Sequence, residues 1–213
     1  YISANGFHEI ITNSITNSNY YAAGGEAEMA GLVKVLNYNS EDLDVLRKSM
    51  VFSGLEVLRY NINRRQRDLK VYELGKVYEQ LEDGYKETRK LALYMVGNTT
   101  AESWKQPAQK VAFHDLASVV QNVLQKLNAA DYEVQAIEQS RYMRQGITYV
   151  KNDTVIAQVG LLDAAVTKAM DVKEQVWYAE LNWDYLIKKY KDKLVAEELP
   201  KFPEVRRDLS LVV

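Results

Sequence analysis

Two strand-like runs, "LKVYELGKVYEQ", which alternates, and "RKLALYMVGN", separated by the polar stretch "LEDGYKET", constrain the fold more than any other part of the chain. Successive side chains on a strand point to opposite faces, so an alternating run presents two different faces. Asp83-Gly84 lies between them and favours the backbone of a tight hairpin turn. The pair is therefore predicted to be an antiparallel hairpin, which cannot cover its own apolar face and needs further strands and helices.

Those elements follow. "GITYVKNDTVIAQVG" (146 to 160) reads as a second hairpin turning at Asn152-Asp153, and "YEVQAI" (132 to 137) and "VWYAELNW" (176 to 183) read as single strands. "FHEIITNSI" (7 to 15) and "GLVKVLNY" (31 to 38) are also predicted to be strands. Val51, Leu55, Leu58 and Ile62 recur at helical intervals, with Ser53 and Glu56 at capping-box spacing, so a helix ends near Asn63. A second helix carries Leu116, Val119, Val120, Val123, Leu124 and Leu127 on one face with Asp115 as its cap, and a short one follows Asp163. From Tyr185 a lysine-rich helix runs on. Pro200 and Pro203 mark a linker spanning 191–203. Hairpins mixed with helices predict an α+β fold, an antiparallel sheet flanked by helices.

Composition narrows the chemistry. Of 213 residues 47% are hydrophobic, and no apolar run approaches the ~20 residues of a membrane span. The 27 Lys and Arg nearly cancel the 29 Asp and Glu, so any nucleic-acid contact has to be local. Cysteine is absent, which excludes disulfides, thiolate zinc sites and cysteine nucleophiles. The chain starts at Tyr1 with no initiator Met and no charged-then-apolar leader, and it stops inside the apolar run "RRDLSLVV". A cytoplasmic fragment is expected.

Gly24-Gly25 and Gly75-Lys76 lack the flanking glycines and the Ser/Thr of a phosphate-cradling loop. His8 and His114 each adjoin an acid, but strand neighbours face opposite ways, and the histidines read as solvated or capping residues. Arg64, Arg65 and Arg67 in "RRQR" either hold RNA phosphates or form a solvated face, as do Lys188, Lys189, Lys191 and Lys193. The 15 tyrosines offer stacking surface or half-buried core.

Three stretches in order, "GFHEIITNSI", "LNYNSEDLDVLRKSMVFSGLEVLRYNINRRQRDLKVYELGKVYE" and "LPKFPEVRRDLSLVV", resemble the β subunit of bacterial phenylalanyl-tRNA synthetase. Leu46-Arg47, Asn61 and Glu73-Leu74-Gly75 carry the likeness. The chain departs from the family pattern at "RYMRQGITYV", where a His-Pro-Gly stretch is more usual, and at Tyr38 and Phe52, which replace prolines.

The resemblance implies a catalytic-like class II synthetase core over residues 1–190, the linker 191–203, and in 204–213 the first strand of a truncated ferredoxin-fold anticodon-binding domain. It implies a whole enzyme using ATP and magnesium, built from two α and two β subunits and acting on tRNA, with no cofactor held by this fragment. Catalytic class II cores carry one arginine on the motif 2 strand and another in motif 3; here the corresponding places hold Glu79 and, in "WYAELNWDYLIKKY", Glu180 followed by Leu181. A carboxylate repels phosphate, so the module is expected to be a non-catalytic scaffold. The helix stripe Val51, Leu55, Leu58 and Ile62 is expected to bind the α subunit, and Tyr78, Tyr94 and Tyr178 to fill the space left for ATP.

Overall fold

The computed structural model describes all residues except 25, 38–39, 41, 138–139, 191–206, 208 and 211–213. The linker, most of the anticodon-domain strand, and Tyr38, Lys191 and Lys193 therefore lie outside the described residues. In chain order the elements are β1 (His8–Glu9), β2 (Ile15–Thr16), α1 (Glu26–Ala30), β3 (Val33–Lys34), β4 (Val45–Leu46), α2 (Val51–Ile62), β5 (Leu69–Leu81) and β6 (Gly84–Val96). There follow β7 (Asn98–Thr100), β8 (Gln109–Lys110), α3 (Phe113–Lys126), β9 (Glu133–Ile137), β10 (Met143–Lys151), β11 (Thr154–Leu162), α4 (Ala164–Ala169), β12 (Val176–Asn182) and α5 (Trp183–Lys189).

The main sheet runs β1-β5-β6-β12-β11-β10-β9. Both predicted hairpins form, β5 with β6 and β10 with β11, and β12 joins them by pairing antiparallel with β6 and β11. Asn152 and Asp153 take φ of 48° and 56°, the left-handed pair that a tight two-residue hairpin needs and that Asn and Asp tolerate. The sheet departs from the expected all-antiparallel pattern at β1, which pairs parallel with β5 through His8–Val71 and Glu9–Tyr72. The strand expected over 7–15 is two short pieces, β1 and β2, and β2 belongs to a small separate sheet with β3 and β4.

Alternation gives the sheet two buried faces. Leu91, Leu93, Met95, Trp177, Ala179 and Leu181 point to the side covered by α3, where they meet Leu116, Val120, Val123 and Leu124. Ala92, Tyr94, Val96, Val176 and Tyr178 point to the opposite side, where α2 supplies Val51, Leu55 and Leu58. This corrects the interface expectation. Val51, Leu55 and Leu58 are 0% exposed and Ile62 packs at the margin of the same cluster, so the stripe is answered by the chain's own sheet and is not free for a partner.

Gly54 lets α2 sit this low. A Cβ there would fall 2.1 Å from the ring of Tyr94, whose hydroxyl donates to the Met50 carbonyl at 2.6 Å. The helix starts two residues before Ser53, so the predicted capping box does not form. Instead the Ser49 hydroxyl accepts from the Val51 N–H, and Ser53 donates to the Met50 carbonyl. Likewise α3 starts at Phe113, which puts Asp115 inside its first turn, accepting from the Ala112 N–H at 2.7 Å. Asp163 caps α4 as expected.

Candidate functional site

Beyond the Lys90–Asn182 pair the β5–β6 hairpin outruns β12, and an open cleft of about 710 Å³ wraps around this projecting part, between the loop before α2, the Ser140–Met143 segment and α5. Its basic side chains, Lys48, Lys86, Lys90, Arg141 and Lys188, are matched by Glu79, Glu87, Glu180 and Asp184. Val51, Val77, Met143, Tyr142 and Tyr178 supply apolar wall, and Thr88, Gln158 and Asn182 supply neutral polar groups.

Both carboxylates singled out from the sequence face this cleft, and each has a cation of its own. Glu79 pairs with Lys48 at 3.4 Å. Glu180 pairs with Lys90 at 3.0 Å and accepts from the Tyr178 hydroxyl at 2.7 Å. Leu181 is fully buried on the α3 side and brings no charge to the cleft. At the mouth, Asp184 accepts from the Arg89 backbone N–H and from its guanidinium, both at 2.6 Å. Those contacts hold the Asp184 carboxyl below the usual carboxylate range.

The expectation that tyrosines fill the space is corrected in part. Tyr94 and Tyr178 are buried, 5.1 Å apart between ring centroids, and burial pushes both phenols well above their ordinary range. Tyr94 lies under α2, its hydroxyl drawn to the Met50 carbonyl, whereas Tyr178 walls the cleft and donates to Glu180, and the volume over Glu79 and Glu180 stays open. Tyr78 and Glu79 both border the cleft, although they alternate along β5, because the projecting hairpin has two accessible sides.

Beside the cleft sits a buried ion pair with no signal in local sequence. Arg47 and Glu73 meet at 3.0 Å with side chains 3% and 4% exposed. Arg47 also donates to Thr12, to Ser53 and to the Lys76 carbonyl, and Glu73 accepts from the Thr12 hydroxyl and N–H. Gly75 makes room for this group, since a Cβ there would lie 2.2 Å from the Arg47 guanidinium and 2.5 Å from the Met50 methyl.

The description "Phenylalanyl tRNA synthetase beta chain CLM domain" matches residues 1–183. The chain belongs to this family. Its relatives include the phenylalanine–tRNA ligase beta subunit of Bacteroides thetaiotaomicron, 32% identical over 98% of the chain, and that of Chlorobium chlorochromatii, 31% identical over 98%. In each case the chain spans 27% of the relative's length. Among solved structures, a pyrrolysyl-tRNA synthetase from Desulfitobacterium hafniense aligns with a TM-score of 0.64 at 15% identity, covering 87% of the chain and 64% of that structure. The fold is thus that of a class II synthetase core.

Within this family fold the signature residues take on physical roles. Arg47 and Glu73 are the buried pair, Gly75 leaves it room, and Asn61 donates to the Val57 carbonyl one turn back in α2. Phe52 and Tyr142, from two stretches expected to depart from the family pattern, meet in space: the Phe52 ring packs edge-on against Tyr142 at 5.5 Å, with Tyr20 and Tyr21 completing the group at 5.5 and 5.0 Å.

Arg64, Arg65 and Arg67 lie exposed just after α2, away from the cleft residues in sequence and absent from its lining. Among the described residues no group of three or more His, Asp or Glu gathers to hold a metal ion, and no helix is long and apolar enough to cross a membrane.

Proposed function

We infer that the chain is the non-catalytic, catalytic-like module of a phenylalanine–tRNA ligase beta subunit. It supports an alpha subunit that carries out the ATP-dependent attachment of phenylalanine to its tRNA. The assembly takes two alpha and two beta subunits, in the cytoplasm, and the ATP and magnesium belong to the alpha side. The observation that carries this reading is the state of the cleft. Glu79 and Glu180 put carboxylates on two of the strands that face it, and each is already neutralised by a lysine of the chain, Lys48 or Lys90. A nucleotide would have to displace those pairs and then sit against two acids, with no arginine on either strand to offset the repulsion.

Because α2 is buried, the partner surface falls on other apolar side chains. Ile11 and Leu36, 93% and 94% exposed, are the contacts we assign. Two measurements test this. Phenylalanine-dependent pyrophosphate exchange by the chain should stay at background, and turnover would overturn the reading. The chain should co-purify with the alpha subunit, and Ile11→Asp with Leu36→Asp should abolish that association while leaving the circular dichroism spectrum unchanged.

A further inference from the structure

The end of α2 and the ribbon β7–β8 share a junction. Asp68 accepts from the Asn98 backbone N–H at 2.7 Å and from its side-chain amide at 3.1 Å. Gly97, with φ of 84°, lies so close that a Cβ would strike the Arg67 carbonyl at 2.3 Å. The "RRQR" turn is therefore fixed at the base of the ribbon.

The turn displays its cations in a defined way. The Arg64 guanidinium lies 3.4 Å above the Tyr60 ring centroid and donates to the Tyr60 carbonyl, so one of its faces is held and the other is left to solvent. Arg65 takes a left-handed φ of 68°, which lets the chain turn away from the helix. Arg65 and Arg67 are exposed. Cations at a helix C-terminus also offset its dipole, which explains basic residues there but nothing further along the chain.

The second observation is at the other end of the ribbon. Its tip is closed by reciprocal backbone hydrogen bonds between Ser103 and Gln106, and between them stands Trp104, 97% exposed, followed by the exposed Lys105. Lys110 is exposed on the return strand, and Glu102 is the acid of the ribbon. Leaving an indole in water on an ordered turn forgoes the large area that tryptophan normally buries. Trp104 is six steps along the chain from Asn98, so its Cα lies at most about 20 Å from that of Asn98, the residue tied to the basic turn through Asp68.

We propose that the α2 terminus and the β7–β8 ribbon form a surface for single-stranded RNA, with an unpaired base stacked on Trp104 and neighbouring phosphates on Arg64, Arg65, Arg67 and Lys105. Aromatic side chains offer a stacking face that any base can use, and a guanidinium plane held on one side offers another. Clustered cations supply the phosphate term without asking for a basic protein overall. This surface is separate from the cleft and does not depend on whether the cleft binds ATP.

The probe is a fluorescently labelled uridine dodecamer, with anisotropy and tryptophan emission read together. We expect salt-sensitive binding, quenching of the exposed indole, and an affinity loss of about tenfold or more in Trp104→Ala that Trp104→Phe largely restores. The triple change of Arg64, Arg65 and Arg67 to Ala should lower the slope of log affinity against log salt by about 2. Unchanged affinity in Trp104→Ala sinks the proposal. So does equal, Trp104-independent binding of duplex RNA. Co-purification with the alpha subunit that fails in Trp104→Ala while RNA affinity holds would assign the face to protein contact instead. Alpha-subunit association kept in every variant, alongside the RNA losses, supports the proposal and leaves the scaffold reading standing.

Discussion

Glu73 and Glu79 lie on the same strand, six residues apart, and alternation turns both to the α2 side of the sheet, yet they do opposite things. Glu73 is sealed in, 4% exposed at its side chain, and its oxygens are taken by Arg47 and Thr12. Glu79 is 43% exposed at its side chain, with one lysine at 3.4 Å. The first is part of the framework, because a buried charge that loses its partner cannot recover water. The second is a surface pair at the mouth of a cleft, where solvent screens most of its energy. Residue type and strand face are the same; depth decides the role.

The strongest way to break this contrast is to remove the buried cation. Arg47→Ala should cost about 3–5 kcal/mol in urea unfolding, since it strands Glu73 in the core. Replacing both partners, Arg47→Met with Glu73→Leu, should recover a large part of that loss, and failure to recover would mean the pair is more than mutual compensation. Next comes Gly75→Ala, which forces a methyl group against the Arg47 guanidinium and Met50 and should cost about 1–3 kcal/mol.

At the cleft the effects shrink. Glu79→Arg should change stability by no more than about 0.5 kcal/mol, and titration calorimetry of ATP into the variant should show no binding, because Glu180 remains. A micromolar isotherm, about −8 kcal/mol, would show that a single charge had closed a surviving nucleotide site. Asp184→Asn belongs to the same small range, below about 1 kcal/mol, because both partners of the Arg89 pair are well exposed. Its sign with pH is fixed: the folded carboxyl titrates below its unfolded value, so its contribution is present at neutral pH and lost as pH falls through the folded pKa. Wild type and variant should converge in acid.

The sequence carried the local features and missed the distant ones. Asn152-Asp153 announced its turn and Asp163 its cap, because the groups that decide those structures are two or three residues apart. The α2 helix was legible from its spacing, but periodicity says only that a face must be covered, not by what; the cover proved to be Ala92, Tyr94 and Tyr178 of the same chain. Arg47 and Glu73 could be quoted as part of a family signature, yet their partnership spans 26 positions and only the fold brings them together. Glu79 and Glu180, singled out from an expected place in the class II pattern, both face the cleft, while their lysine partners and the exposed Trp104 had no marker in the sequence.

The placement of β12 has a consequence for how the molecule comes into being. It lies between β6 and β11, so each of the two hairpins keeps an unsatisfied edge until residues 176–182 are available. A chain emerging from its N-terminal end can close both hairpins early, since their contacts are local, but the union of the two halves waits for a strand near the far end. During that interval β6 and β11 offer open hydrogen-bonding edges beside apolar faces, the setting in which mispairing between chains occurs. Among the described residues, the last regular strand to be made is the one that turns two separate ribbons into a single sheet.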